Sequence, residues 1–265
     1  MKHISYSELK TWAECPWKHK LSYIERARQF VGNEFTAFGR AIHAVCENTV
    51  LSNHHTVSED EVLTGEEYFD LEFRKELKAL NEEDLDKKLV VDMQQQAHVI
   101  IPQIEPYLKA HFGSYEVFSV EERLYEGIDF AMPLERKFKG FIDLVLKTDD
   151  GKYHVIDWKS CSWGWKAQKR SDKLITYQLT LYKKFFCEKH KIDPSMVETH
   201  FALLKRTAKK DNVEIFRATS GNKKTKNATK LLSDAIINIE NKNFVKNRKS
   251  CTYCEYDNTE YCKRS

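Results

Sequence analysis

The sequence predicts an α/β chain: a small mixed sheet flanked by helices. Three observations carry that expectation. Two short apolar runs, Phe138 to Leu146 and Tyr153 to Trp158, are separated by the turn signal Asp149-Asp150-Gly151 and read as a β-hairpin. Val197 to Lys205 and Val213 to Ala218 add further strand patterns. Thr36 to Leu51 and Asp172 to His190 repeat apolar residues at helical intervals instead.

Taken in order, Ser5 to Cys15 reads as a capped helix, with Glu8 at capping-box spacing from Ser5 and Tyr6, Leu9 and Trp12 on one face. Pro16 breaks it, and Trp17 to Ile24 continues as a short aromatic helix before the Gly32-Asn33 loop. In Thr36 to Leu51 the buried face is Phe38, Ala41, Ile42, Val45 and Cys46. Glu59 to Leu80 and Val90 to Phe112 read as two more helices, the second interrupted by Pro102 and Pro106. We read residues 52–112 as a helical insertion before the sheet. Strands follow at Tyr115 to Leu124 and Ile128 to Pro133, then the hairpin, and Lys224 to Asn241 closes the series as a basic helix.

The 265 residues, 41% hydrophobic and 12% aromatic, suffice for one domain with a real core, and we take 1–265 as that domain. With no long uncharged apolar run and no amino-terminal apolar segment, the expectation is a soluble, cytoplasmic protein without a membrane partner. The net charge of +3 decides little, but its distribution says more. Glu59 to Asp92 is acidic, whereas Lys205 to Lys249 is densely basic, which suits a nucleic-acid surface. A solvated helix face explains any single one of these lysines equally well.

The hairpin brings Asp143 and Asp157 into one neighbourhood, and Lys159 shares a strand face with Asp157. In an otherwise apolar strand such charges cost free energy unless paired or metal-bound. Two carboxylates beside an ammonium form a hard-cation site suited to attack of water on a phosphodiester. Gly39, His43 and Glu47 recur every fourth residue on one helical stripe, either a metal-ligand face or a packing glycine beside a core histidine. Gln178 and Tyr182 also share a face. Trp163-Gly164-Trp165 is an aromatic loop that stacks on bases or folds back as a lid.

Seven cysteines without a signal segment point to metal ligation or buried thiols. Cys46, Cys161 and Cys187 read as core residues. Cys251, Cys254 and Cys262 form a C-x2-C-x7-C cluster, and Cys15 lies near the other end.

Gly39-x-x-x-His43-x-x-x-Glu47, Gly140-x-x-Asp143, Asp157-x-Lys159-Ser160 and Gln178-x-x-x-Tyr182 resemble, in order and spacing, the RecB-like branch of the PD-(D/E)XK nuclease superfamily. The resemblance spans roughly residues 4 to 262 and implies a restriction-endonuclease-like fold. It implies that His43, Asp143, Asp157 and the Trp158 carbonyl ligate Mg2+ or Mn2+. Lys159 would orient the attacking water, and Gln178 and Tyr182 would position the strand or the lysine. The cysteine pattern resembles the iron–sulfur staple of the AddB nuclease domain and of CRISPR-associated adaptation exonucleases. By that resemblance Cys15, Cys251, Cys254 and Cys262 would hold one [4Fe–4S] cluster, with zinc as the rival.

The resulting expectation is a metal-dependent exonuclease acting on single-stranded DNA ends. Without a Walker-type loop, any helicase or recombination partner would be a separate polypeptide, in a phage, CRISPR-adaptation or recombination setting. The alternatives are a non-catalytic nucleic-acid-binding or assembly subunit keeping the fold, and a zinc-binding DNA-associated factor.

Overall fold

The computed structural model describes residues 2–28, 31–52, 55–58, 61–128 and 135–263. The chain begins with β1 (His3–Ser5), α1 (Tyr6–Glu14) and α2 (Pro16–His19), which Lys20–Ile24 extends as a wider π turn. Helix α3 (Glu34–Ser52) leads to a hairpin, β2 (His55–Ser58) and β3 (Glu61–Leu63), and then to α4 (Gly65–Lys78), α5 (Lys87–Ile100) and α6 (Ile104–Phe112). Strands β4 (Tyr115–Gly127), β5 (Lys137–Thr148) and β6 (Tyr153–Cys161) follow. The short α7 (Ala167–Ser171) and long α8 (Lys173–His190) precede β7 (Val197–Lys205), β8 (Val213–Arg217) and α9 (Asn222–Glu240).

The six-stranded sheet is mixed, in the order β1-β5-β6-β7-β8, with β4 also paired to β5. β1–β5 and β6–β7 are parallel; the remaining pairs are antiparallel. Alternation along each strand feeds two cores. On one side Val155, Phe201 and Phe138 pack with Leu9, Phe185 and Leu232 of α1, α8 and α9. On the other, Ile156, Trp158 and Leu204 meet Phe38, Phe69, Met93 and Ile104, so α3 to α6 form the second helical layer. The stretch read as an insertion therefore shares with α3 the covering of one sheet face. Cys46 and Cys187 are buried, as their periodic settings suggested.

Several boundaries differ from the sequence reading, each for a local reason. The helix expected over 59–80 starts only at Gly65. Thr64 Oγ1 accepts from the Glu67 amide at 3.2 Å while Glu67 Oε2 accepts from the Thr64 amide at 2.8 Å, a reciprocal cap that fixes the start. Glu61 to Leu63 is strand instead, and residues 59 and 60 lie outside the described residues. The helix expected over 90–112 is two helices. Ile101–Gln103 is a tight 3-10 turn holding Pro102, and Pro106 sits in the first turn of α6, where a missing amide breaks no hydrogen bond. Of the strand expected over 128–133, Ile128 lies just past β4, and residues 129–133 are outside the described residues.

At Ser5 only half of the expected capping box forms. Ser5 Oγ accepts from the Glu8 amide at 3.2 Å, but the Glu8 carboxylate turns to the buried His19 at 2.9 Å. A buried imidazole without a partner costs more than an exposed cap gains. Among the described residues, no helix is long and apolar enough to cross a membrane.

Candidate active site

β5 changes partner along one edge. Lys137 to Lys139 pair with β1, whereas Leu144 to Lys147 pair with β6, and residues 140–143 lie where the two partners separate. Asp143 is one residue beyond the last β5–β6 pair, Leu144 with Ile156, and Asp157 is one beyond it on the facing strand. With the ladder ended, the Trp158 amide donates to Asp143 Oδ2 at 2.7 Å. The split thus places two carboxyls in the mouth of a fork, on a backbone fixed by the sheet to either side.

Two helices complete the constellation from opposite layers. α3 presents His43, whose Nδ1 lies 3.6 Å from Asp143 Oδ2. α8 presents Gln178, whose Nε2 donates to Asp157 Oδ1 at 2.8 Å and to Tyr182 Oη at 3.2 Å. Lys159 Nζ stands 2.6 Å from Asp157 Oδ2, a buried oxygen without another partner. The structure therefore brings His43, Asp143, Asp157, Lys159, Gln178 and Tyr182 together, with the Trp158 backbone among them and its indole in the core.

Gly140 has a steric reason to be glycine. A Cβ there would meet the Tyr182 ring at 2.8 Å, whereas one at Gly39 would lie an ordinary 3.6 Å from Ser160 Oγ. Gly140→Ala is therefore expected to cost about 1–3 kcal/mol, displace Tyr182 and lower any activity of the site about tenfold. Gly39→Ala should gain about 0.5–1 kcal/mol from helix propensity and keep activity within about twofold. Thermal melts and initial rates on both variants check this; equal losses at the two positions would refute it.

Sequence reasoning missed Glu121. It sits in β4 opposite Asp143 with φ of 49°, a left-handed conformation uncommon for a glutamate. It hydrogen-bonds Glu47, and its charge acts on His43 and Asp143. A Glu-Glu pair in an alternating strand carries no sequence mark of this; Glu122 points instead to Lys189 and His190.

The site is an excess of carboxyls held out of water. Burial, opposed by Lys159, pushes Asp143 and Asp157 up to about 6, and burial with Glu121 pushes Glu47 up to about 7. Burial and Lys159 lower His43, favouring a neutral imidazole. For Lys159 burial works downwards, but the Asp157 and Asp143 charges outweigh it and hold the amine protonated. An imidazole and buried carboxyls whose charge is only partly offset are a donor set that fits a hard divalent cation. Among the described residues the donor set drawn within 4.8 Å lies elsewhere, at His154, Glu198 and His200. His43, Asp143 and Asp157 stand wider, with Asp143 turned to the Trp158 amide and Asp157 to Lys159 and Gln178.

Beside the fork runs a groove of about 530 Å³ whose walls include Lys159, Gln178, Lys10, Thr11, Lys169 and Trp165. The aromatic loop divides its rings: Trp165 packs on Phe201 and Phe216, whereas Trp163 is 63% exposed. The basic segment also divides. Arg206 is buried over Phe35 and Phe38, Lys205 pairs with Glu214 and Lys230 with Asp234, while Lys209, Lys210, Lys223 and Lys226 face solvent.

Cys15, Cys251, Cys254 and Cys262 line one separate cavity of about 330 Å³ together with Trp17 and Lys18. The chain ends meet there through Asn247 and Ser250, both donating to the Glu14 carbonyl, and through the Asn247 amide, 3.3 Å from Cys15 Sγ. Among the described residues no three cysteine sulfurs lie within 4.8 Å of one another.

The family model of the PD-(D/E)XK nuclease superfamily matches residues 3–262. No curated protein matches the chain. A crystal structure from Eubacterium rectale, provisionally named an exonuclease, aligns with a TM-score of 0.60 at 13% identity, over 96% of this chain and 88% of that one, a likeness of fold. The crystal structure of SSO0001 aligns at 0.39 and 15% identity over 94% and 93%. With the match running almost end to end, and the carboxyls and lysine standing at the fork of a mixed sheet, the chain belongs to the PD-(D/E)XK nuclease superfamily.

Proposed function

We propose that this protein is a divalent-metal-dependent DNA exonuclease that takes single-stranded ends. The observation that carries the reading is Asp157, buried between the Lys159 ammonium and the Gln178 amide, with Asp143 and His43 across the fork and a groove alongside. Mg2+ or Mn2+ held by His43, Asp143, Asp157 and the Trp158 carbonyl would polarise the phosphoryl oxygen and acidify the attacking water.

The chain's own residues do the rest. Gln178 fixes the Asp157 carboxylate, and Tyr182 fixes Gln178, so the acid cannot rotate away from the fork. Lys159, held protonated, orients water and faces the charge that grows on the phosphate; its positive charge counts most where water is excluded. Lys10 and Lys169 offer the groove cationic contacts for a phosphate backbone, and exposed Trp163 offers a ring for an unpaired base.

End-labelled linear and circular single-stranded DNA, each with Mn2+ or with EDTA, test this. The reading requires metal-dependent release of mononucleotides or short products from the linear strand and survival of the circle. Cutting of the circle at the same rate would make the enzyme an endonuclease, and no cutting of either would leave a binding subunit.

Protons and a cation compete for the same carboxyls. Without metal, Asp143 and Asp157 at about 6 bind protons more tightly folded than unfolded. Through these two groups, the metal-free fold therefore gains stability as pH falls from about 6 towards 4 and loses it above. A bound cation acts in the opposite sense, favouring the fold at high pH and leaving as pH drops through about 6. The rise in melting temperature on adding Mg2+ should accordingly be larger at pH 8 than at pH 5.5; an equal rise would count against these ligands.

The thiol cavity completes the proposal as the seat of a [4Fe–4S] cluster on Cys15, Cys251, Cys254 and Cys262. One tetrahedral zinc would draw four thiolates to about 3.8 Å from each other, given Zn–S bonds of about 2.3 Å. In an iron–sulfur cube each thiolate binds a different iron, so the four sulfurs would stand further apart than around one zinc. Ligation from both ends of the chain would convert cluster binding into folding free energy.

A further inference from the structure

The structure holds a second polar centre that the phosphodiester chemistry does not use. His154 of β6 alternates with Asp157, on the sheet face of Ile156 and Trp158, and β7 brings Glu198 beside it and His200 beside Ile156. His154 Nδ1 lies 3.1 Å from His200 Nε2, and Glu198 Oε2 lies 3.9 Å from that same nitrogen. We propose that His154, Glu198 and His200 form a binding site for one transition-metal cation of the zinc class, separate from the nuclease site.

Three features support it. The first is spacing. Ligand atoms about 2.05 Å from a tetrahedral ion stand about 3.3 Å apart, a value that the separations of 3.1 and 3.9 Å bracket. Second, the outer contacts are those of a ligand set. Thr148 Oγ1 donates to Asp150 at 2.6 Å, so towards His154 Nε2, at 3.0 Å, it accepts; that puts the His154 proton on Nε2 and leaves the Nδ1 lone pair facing His200. Glu198 Oε1 is held by Arg217 at 3.3 Å, which leaves Oε2 for the site. Third, His200 is 3% exposed and its Nε2 carries the proton shared with His154 Nδ1, but its Nδ1 has no partner, so the proton can move there when a cation takes the place of that hydrogen bond.

The fourth position faces a cavity of about 370 Å³ bordered by His111, Ser114, Asp149 and Asp150, open to water or to the His111 ring. Such an ion would tie β6 to β7 and, with His111 in the fourth position, the end of α6 to both. That is a structural role, at a point on β6 three residues before Asp157. Apolar packing supplies most of the contacts of this face; the ion would add the cross-link.

Titration of the protein with Co2+ tests this by colour. A tetrahedral two-histidine, one-carboxylate site gives visible ligand-field bands without the near-ultraviolet thiolate band that cobalt on the cysteines would give, and well above the faint absorbance of an oxygen-rich six-coordinate site. One equivalent with that spectrum, displaced by Zn2+, is expected. Glu198→Gln, which preserves shape and keeps an oxygen for Arg217, should weaken binding at least tenfold while circular dichroism and DNA cleavage stay unchanged. His200→Asn should abolish the bands; if it proves unfolded, the Glu198→Gln comparison decides alone. Cobalt bands carrying thiolate charge transfer only, no visible bands, or unchanged affinity in folded Glu198→Gln would each overturn the site and leave a hydrogen-bonded imidazole pair.

Discussion

Asp157→Asn should lower DNA cleavage by about 10³-fold or more while the protein stays folded. The residue is 1% exposed, and its two oxygens face Lys159 and Gln178, so the amide fits the same space but cannot offer a full charge to a cation. Asp143→Asn should behave alike, because an amide oxygen still accepts from the Trp158 amide. Lys159→Ala should lose about 10²–10³-fold with Mg2+ binding retained, which separates loss of transition-state charge stabilisation from loss of the metal site. The measurement is the initial rate on labelled single strands beside calorimetric Mg2+ titration. Wild-type rates in folded Asp157→Asn would dismantle the assignment of this fork as the catalytic centre.

The second large effect is expected at the other cavity. Cys254→Ser should bleach the broad visible absorbance of an iron–sulfur preparation and lower the melting temperature by about 10 °C. The proposed cluster would close a loop of almost the whole chain, and closing so long a loop is worth roughly 5 kcal/mol by chain-entropy reasoning; for a chain of this size each kcal/mol moves the melt about 2–4 °C. The hydrogen bonds from Asn247 and Ser250 to Glu14 remain, so the ends should loosen rather than unfold outright. Cys187→Ser, on α8 and buried in the core with Val155 and Phe201, should leave the colour untouched. A colourless wild-type protein carrying stoichiometric zinc would replace the iron–sulfur reading.

Much of the site was legible because each motif sits on a regular element. A strand's two-residue period predicts that Asp157 and Lys159 share a face, and a helix's four-residue spacing predicts the same for Gln178 and Tyr182; the 2.6 Å and 3.2 Å contacts follow from those periods. The motif glycines were less transparent. Gly140 is confined by a ring from α8, which no local pattern announces, while Gly39 has room for a methyl group. The helix boundaries at Thr64 and Pro102 were read too coarsely, although a cap and a proline were there to mark them.

The sequence by itself determined the long helices and main strands, the two-faced alternation of those strands, and which charged residues would have to share a neighbourhood, since all of these depend on neighbours a few positions apart. Tertiary structure decided what depends on distant partners. β1, three residues long, is stable only as an added edge on β5, and that addition creates the fork. Glu121 reaches Glu47 through a left-handed turn of a strand, and His154 meets His200 only because β6 and β7 run parallel in one register. The physical reason is the same in each case: periodicity fixes the direction in which a side chain leaves its own backbone, but only the pairing of strands and layers fixes what it meets.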